Sequence, residues 1–245
     1  MRTGNPALNK NTFKNFTGTY KNHMTINGTV NKTFMMLFLL TMSAFFSWTS
    51  LSFIGMEFLQ LPLIGLSILG FIIVIITVFK KEWSPVTAPI YSIVEGALLG
   101  IISAYFEYLF PGIVLQAISL TLGTLFLLLT AYKSGIIKAT ENFKLGIFAA
   151  TGAIALVYIV SMVLGFFGTT IPYIHDAGPI GIIFSLIVVV IAALNLVLDF
   201  DFIEQGAHNK APKYMEWYAS FGLMVTLVWL YLEILRLLAK MRSRD

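Results

Sequence analysis

From about residue 33 onward, apolar residues occur in long runs that are separated by short polar stretches. The runs approach or exceed the roughly 20 residues that an α-helix needs to cross the hydrocarbon core of a bilayer. In lipid, a helix satisfies its backbone hydrogen bonds within one segment. The pattern therefore predicts seven spanning helices, at 33–54, 61–79, 86–109, 112–132, 145–167, 179–202 and 218–239.

The composition supports a membrane-embedded chain. Hydrophobic residues make up 58% of it and charged residues only 11%, whereas soluble domains carry about 25% charged residues. The short connections predict one all-α polytopic bundle over residues 33–240. Residues 1–32 are rich in Asn, Thr and Lys, so we expect a disordered tail there, and a short C-terminal tail at 241–245.

Lysine and arginine are distributed unevenly between the two ends of the predicted spans. They occur in the N-terminal tail and in the second, fourth and sixth connections, and are missing from the other three. The positive-inside rule then places the N-terminus in the cytoplasm, and the lack of cysteine is compatible with a bacterial inner membrane. The cations after Glu233 conflict with this rule, so the last segment either crosses despite them or re-enters. The excess of basic residues therefore indicates the topology of the chain and does not indicate binding to nucleic acid.

The third span contains a pattern of small residues beside one acid. Gly96 and Gly100 have the small-xxx-small spacing that lets membrane helices approach closely. Glu95 precedes them near the middle of the span, where an ionised carboxylate is costly. It is either a neutral residue that hydrogen-bonds to a neighbouring helix or a group that binds a proton or a cation.

Three acids follow the sixth apolar run, in the segment "LDFDFIE". Acids at a helix C-terminus oppose the helix dipole, so Asp199, Asp201 and Glu204 need a compensating partner. One interpretation is a solvated helix end that pairs with Lys210 and Lys213. The other is that Asp199, the deepest acid, points into the bundle. Asp201 lies about 200° around the helix from Asp199, so the two cannot face the same way.

The last span carries Glu233 and Arg236 in "LYLEILRLL". Residues three apart lie on neighbouring helix surface. One interpretation is that Glu233 and Arg236 form a local ion pair. The other is that Glu233 is a second carboxylate of the bundle. The sequence contains no Gly-rich nucleotide loop and no convincing nucleophile motif, so we do not expect an enzyme.

Together, these features resemble the Bax-inhibitor family (transmembrane Bax-inhibitor-motif proteins) in a bacterial form. The resemblance rests on the short-looped spans, "EG" with the downstream Gly100, "LDFDFIE", "LYLEILRLL" and the N-terminal "GNPALN". It implies a seven-helix bundle with a central last helix, and a pH-sensitive calcium leak across the membrane.

In that family, two aspartates on the sixth and seventh spans share a proton and gate the pore, and an arginine latches onto them in the closed state. Asp199 matches the first aspartate, and Glu233 matches the second if "LYLE" stands for the family's "LYLD". If the arginine sets the alignment instead, the second position falls near Thr226. Arg236 is the candidate latch. Calcium would be the transported ion, held by Asp199 and Glu233, and no cofactor is implied.

Two alternatives remain open. Asp199 could act with Glu95 or with Asp201 in place of Glu233. The chain could also be a membrane-embedded regulator that binds a larger complex, such as a membrane protease, through its N-terminal tail.

Overall fold

The computed structural model describes residues 23–54, 60–169, 171, 174 and 176–243. Within these residues, seven helices are long and apolar enough to span a membrane. The all-α polytopic fold that the hydropathy pattern predicts is therefore confirmed. The helices are α1 Ile26–Ile54, α2 Gln60–Phe79, α3 Ser84–Leu109, α4 Ile113–Lys133, α5 Glu141–Phe166, α6 Pro179–His208 and α7 Met215–Arg242, with a short 3-10 helix at Lys81–Trp83.

Four helices extend beyond the predicted spans by more than two residues, and α5 is one of them because it begins at Glu141. The first begins at Ile26, so residues 26–32 of the predicted disordered tail are helical, whereas residues 1–22 lie outside the described residues. The sixth continues to His208, and the seventh runs from Met215 to Arg242, into the predicted C-terminal tail. The reason is the same in each case: hydropathy locates the apolar part of a helix, but backbone hydrogen bonding continues through polar residues.

The described chain divides into two compact units. Unit 1 comprises the described residues of Gly112–Asp201 and Thr226–Asp245, and unit 2 those of Phe13–Pro111 and Phe202–Val225. The seventh helix supplies residues to both. In its most apolar window 67% of the residues are buried, the largest share among the seven helices. This is the burial expected of a central last helix.

Unit 2 has an apolar core formed by α1, α2, α3 and the first part of α7. Met36, Ile73 and Met224 are buried there, and Tyr91 packs edge-on against Phe221 with ring centroids 5.1 Å apart. Aromatic pairs in this geometry add about 0.5–1.5 kcal/mol to the effect of their burial.

The small residues of α3 lie where this helix approaches α1. A Cβ atom added at Gly96 would overlap the backbone carbonyl of Leu40, and one added at Gly100 would overlap that of Ala44. The backbones therefore meet at a distance that a larger residue would not allow, which is the packing role predicted for small-xxx-small spacing.

A buried carboxylate in unit 2 explains why α1 begins early. Glu216, in the first turn of α7, is 0% exposed and accepts hydrogen bonds from the backbone and hydroxyl of Thr25. The Thr25 hydroxyl also accepts a hydrogen bond from the backbone N–H of Gly28, which caps α1. Lys32 and Lys213 complete the ion pairs of Glu216.

Unit 1 contains α4, α5, most of α6 and the second part of α7. Its buried apolar residues include Val188 and Leu196 of α6 and Leu230 and Leu235 of α7, each 0% exposed. Apolar side chains alone are enough to pack membrane helices in this way. Packing therefore does not explain why polar residues are buried in the same unit.

Candidate functional site

Two carboxylates are buried in unit 1, on different helices. Asp199 of α6 and Glu233 of α7 are each 1% exposed. Asp199 does not lie at a helix end: α6 continues for nine residues beyond it, or about 14 Å at 1.5 Å per residue. The expectation of a helix C-terminus at this point is therefore wrong, and Asp199 lies inside the helix with its neighbours Leu198 and Phe200 buried.

Glu233 is held by a tyrosine and an arginine. The Tyr158 hydroxyl of α5 donates to Glu233 Oε1 at 2.9 Å. Arg236 donates to both carboxylate oxygens, at 2.9 and 3.1 Å, and to the Tyr158 hydroxyl at 2.9 Å. Both interpretations of the "LYLEILRLL" motif therefore apply, because Glu233 forms the local ion pair with Arg236 and is also buried.

The cation of this pair is less buried than the anion. The Arg236 side chain is 42% exposed, compared with 2% for Glu233, and its guanidinium lies 5.4 Å from the centroid of the Tyr158 ring. Arg236 therefore covers the buried carboxylate of Glu233 from a more accessible position.

A buried amide lies one helical turn before Asp199. Asn195 is 3% exposed and donates to the Thr151 hydroxyl of α5 at 2.9 Å and to the carbonyl of Ile191 at 2.8 Å. Asn195 and Asp199 are four residues apart, so their side chains follow one another along the same face of α6.

The second acid of "LDFDFIE" has a partner that was not predicted. Asp201 binds Lys144 of α5 at 2.6 Å, and the lysine side chain is only 3% exposed. The alternative that pairs this segment with Lys213 is wrong, because Lys213 binds Glu216. Glu204 is exposed. The three acids thus have three different environments.

Hydrogen bonds between the helices fix their register. Asn195 lies level with Thr151, so Tyr158, seven residues further along α5, lies level with residue 188 of the antiparallel α6. Since Tyr158 binds Glu233, Glu233 lies about eleven residues from Asp199 along α6, or about 16 Å.

A second contact gives a similar separation. Lys240 of α7 binds Ser185 of α6, so Glu233 lies level with residue 192, about 10 Å from Asp199 along the axis. By the same register, Thr226, which is 3% exposed, lies level with Asp199. By these two registers, Asp199 and Glu233 lie about two to three helical turns apart along the axes of unit 1.

Glu95 has different surroundings, in unit 2. It is half-buried on α3, and a Cβ atom added at Gly70 of α2 would lie 3.0 Å from its Oε2. Gly70 thus leaves room for the carboxylate between α2 and α3. Asp201, the other alternative partner of Asp199, binds Lys144.

Four residues of the site were not predicted: Tyr158, Asn195, Thr151 and Lys144. A tyrosine or an asparagine inside an apolar run is an available signal, because a buried polar group needs a partner. The sequence does not say which partner it has, since that depends on the register between helices.

Comparison with known families agrees with this architecture. A model described as Bax inhibitor 1 like matches residues 5–243, nearly the whole chain. The chain belongs to this family. No curated protein matches it. The match to the Bax inhibitor 1 like family covers all seven helices, and with them both buried carboxylates of unit 1.

Proposed function

We propose that this member of the Bax inhibitor 1 like family is a pH-sensitive leak for cations, with calcium as the preferred ion, and that it does not catalyse a reaction. The observation that carries the proposal is the burial of two carboxylates, Asp199 and Glu233, within one unit of membrane-spanning helices.

Ionisable groups in such a position are expensive. Translocon measurements assign about 2.5–3.5 kcal/mol to a charged residue at the centre of a spanning helix, so those that occur usually serve an ion or proton pathway. Carboxylate, hydroxyl and amide oxygens are also hard ligands, which calcium prefers. Asp199, Asn195, Thr151, Tyr158 and Glu233 supply such oxygens at successive levels of unit 1.

The direction of the pH dependence follows from the charge of the carboxyl groups. A protonated carboxyl group carries no charge and has lost its attraction for a cation, whereas an ionised carboxylate can bind calcium transiently. Calcium flux should therefore rise with pH. Arg236 favours the closed state, because it donates two hydrogen bonds to Glu233 and offsets its charge.

We assign the protein to a bacterial inner membrane, with its N-terminus in the cytoplasm, from the distribution of lysine and arginine between the connections. The cations near the end of α7 fit this topology, because they are bound within unit 1. Arg236 pairs with Glu233, Lys240 binds Ser185, and Arg242 donates to Gln116 of α4 at 2.9 Å.

The test is calcium entry into proteoliposomes at pH 6, 7 and 8, beside empty liposomes. We expect entry above the empty liposomes that increases with pH. A chain without residues 1–22 should keep this flux, because the deletion spares the Thr25–Glu216 contact. No flux from folded protein at any pH would contradict the proposal. It would favour the alternative, a regulator that binds a larger membrane complex through its tail.

A further inference from the structure

A buried lysine in unit 1 lies in a cage of neutral oxygens. Lys240 is 8% exposed, and its Nζ donates to the carbonyl of Ile174 at 2.7 Å, the carbonyl of Gly181 at 3.1 Å and the hydroxyl of Ser185 at 2.9 Å. The three N–H bonds of an ammonium group are thus matched by three acceptors.

The cage is unusual because none of the three acceptors is charged. A buried cation is normally paired with an anion, since an isolated charge in an apolar environment is strongly disfavoured. The charged groups that act on Lys240 without bonding to it are Arg236, Glu233 and Asp176. Its position therefore depends on how well the three oxygens fit the ammonium group.

We propose that Ile174 O, Gly181 O and Ser185 Oγ form a binding site for a primary ammonium group, which the chain fills with its own Lys240. The cage joins the C-terminal part of α7 to the first turns of α6 and to the residue at position 174. When the lysine side chain is removed, the site accepts a small primary ammonium ion from solution.

The recognition follows from the number of N–H donors. A primary ammonium ion offers three donors, as the native side chain does, whereas a quaternary ion has the same charge and no donor. Replacing lysine with alanine removes Cγ, Cδ, Cε and Nζ, which together correspond to propylammonium. This ion should therefore fill the space and satisfy the three oxygens.

The experiment compares unfolding temperatures in detergent for wild type, Lys240→Ala and Lys138→Ala, an exposed lysine of the same unit. Lys240→Ala should lower the unfolding temperature by about 5 °C, given the usual 2–4 °C per kcal/mol for chains of this size. Propylammonium chloride should restore about half of this loss. N,N,N-trimethylpropylammonium chloride at the same concentration should restore none, and neither salt should stabilise wild type or Lys138→Ala.

Equal stabilisation by both ions, no stabilisation by either, or the same stabilisation of Lys138→Ala would overturn the proposal. If Lys240→Ala does not fold, Ser185→Ala provides the test, because the wild-type lysine should then lose one acceptor and the unfolding temperature should fall by about 2 °C. No fall would equally count against the cage. The readout is stability, so its outcome is independent of whether the protein conducts calcium.

Discussion

Two buried glutamates on α7 show how differently one helix can use the same side chain. Glu216, in unit 2, is 0% exposed and is bound by two lysines, Lys32 and Lys213, and by two donors of Thr25. Glu233, in unit 1, is bound by one cation, Arg236, and by the Tyr158 hydroxyl. Two positive charges surround the carboxylate of Glu216, whereas a single positive charge offsets that of Glu233.

The difference supports the proposal that Glu216 is structural and that Glu233 can change state. Glu216 lies in the first turn of α7 beside the first residues of α1, where two helix dipoles also favour an anion. Its interactions join these two helix ends firmly. Glu233 depends on one arginine that is 42% exposed, so a single movement can expose its charge to an ion.

The largest effect should come from breaking the Glu216 cluster. Glu216→Gln removes the anion shared by Lys32 and Lys213, and a hydrogen bond to a charged group contributes about 1.5–3 kcal/mol. We expect the unfolding temperature in detergent to fall by about 10 °C.

Glu82→Gln, at an exposed position of the same unit, is the matched control and should leave the unfolding temperature unchanged. If Glu216→Gln is as stable as this control, the distinction between a structural and a switchable glutamate fails.

A smaller and more specific effect should follow from removing the latch. Arg236→Gln deletes the only cation bound to Glu233 among the described residues. Because a hydrogen bond to a charged group contributes about 1.5–3 kcal/mol, we expect calcium entry at pH 7 to increase about tenfold, with a smaller loss of stability than Glu216→Gln shows.

Arg242→Gln serves as the control for this variant. Arg242 lies at the same end of α7 but binds the neutral Gln116, so its replacement should leave calcium entry near the wild-type value. A decrease in flux for Arg236→Gln would mean that the arginine helps conduction and does not act as a latch.

Much of the fold could be predicted from the sequence because spanning helices are defined by local composition. Each of the seven apolar runs corresponds to one helix, and the spacing of Gly96 and Gly100 indicated a close helix contact. The helix ends were less predictable. α6 continues to His208 through "DFIEQG" because charged residues end an apolar run without ending a helix.

The site could be predicted only in part. The burial of Asp199 was one of two interpretations of the sequence, and the Glu233–Arg236 ion pair was one of two interpretations of their spacing of three. The partners on other helices, Lys144 and Tyr158, depend on the register between helices, and no local pattern encodes that register. For the same reason, the sequence could not decide whether Asp199 and Glu233 lie level with each other.

The most direct test of the central claim is the pH dependence of calcium entry for Asp199→Asn, measured beside wild type and Glu204→Gln. Asp199 is buried and Glu204 is exposed on the same helix, so the two variants remove one carboxyl charge each from different environments. We expect Asp199→Asn to lose the rise in flux between pH 6 and pH 8, and Glu204→Gln to retain it. An unchanged pH profile in Asp199→Asn would contradict the assignment of the pH response to this buried carboxylate.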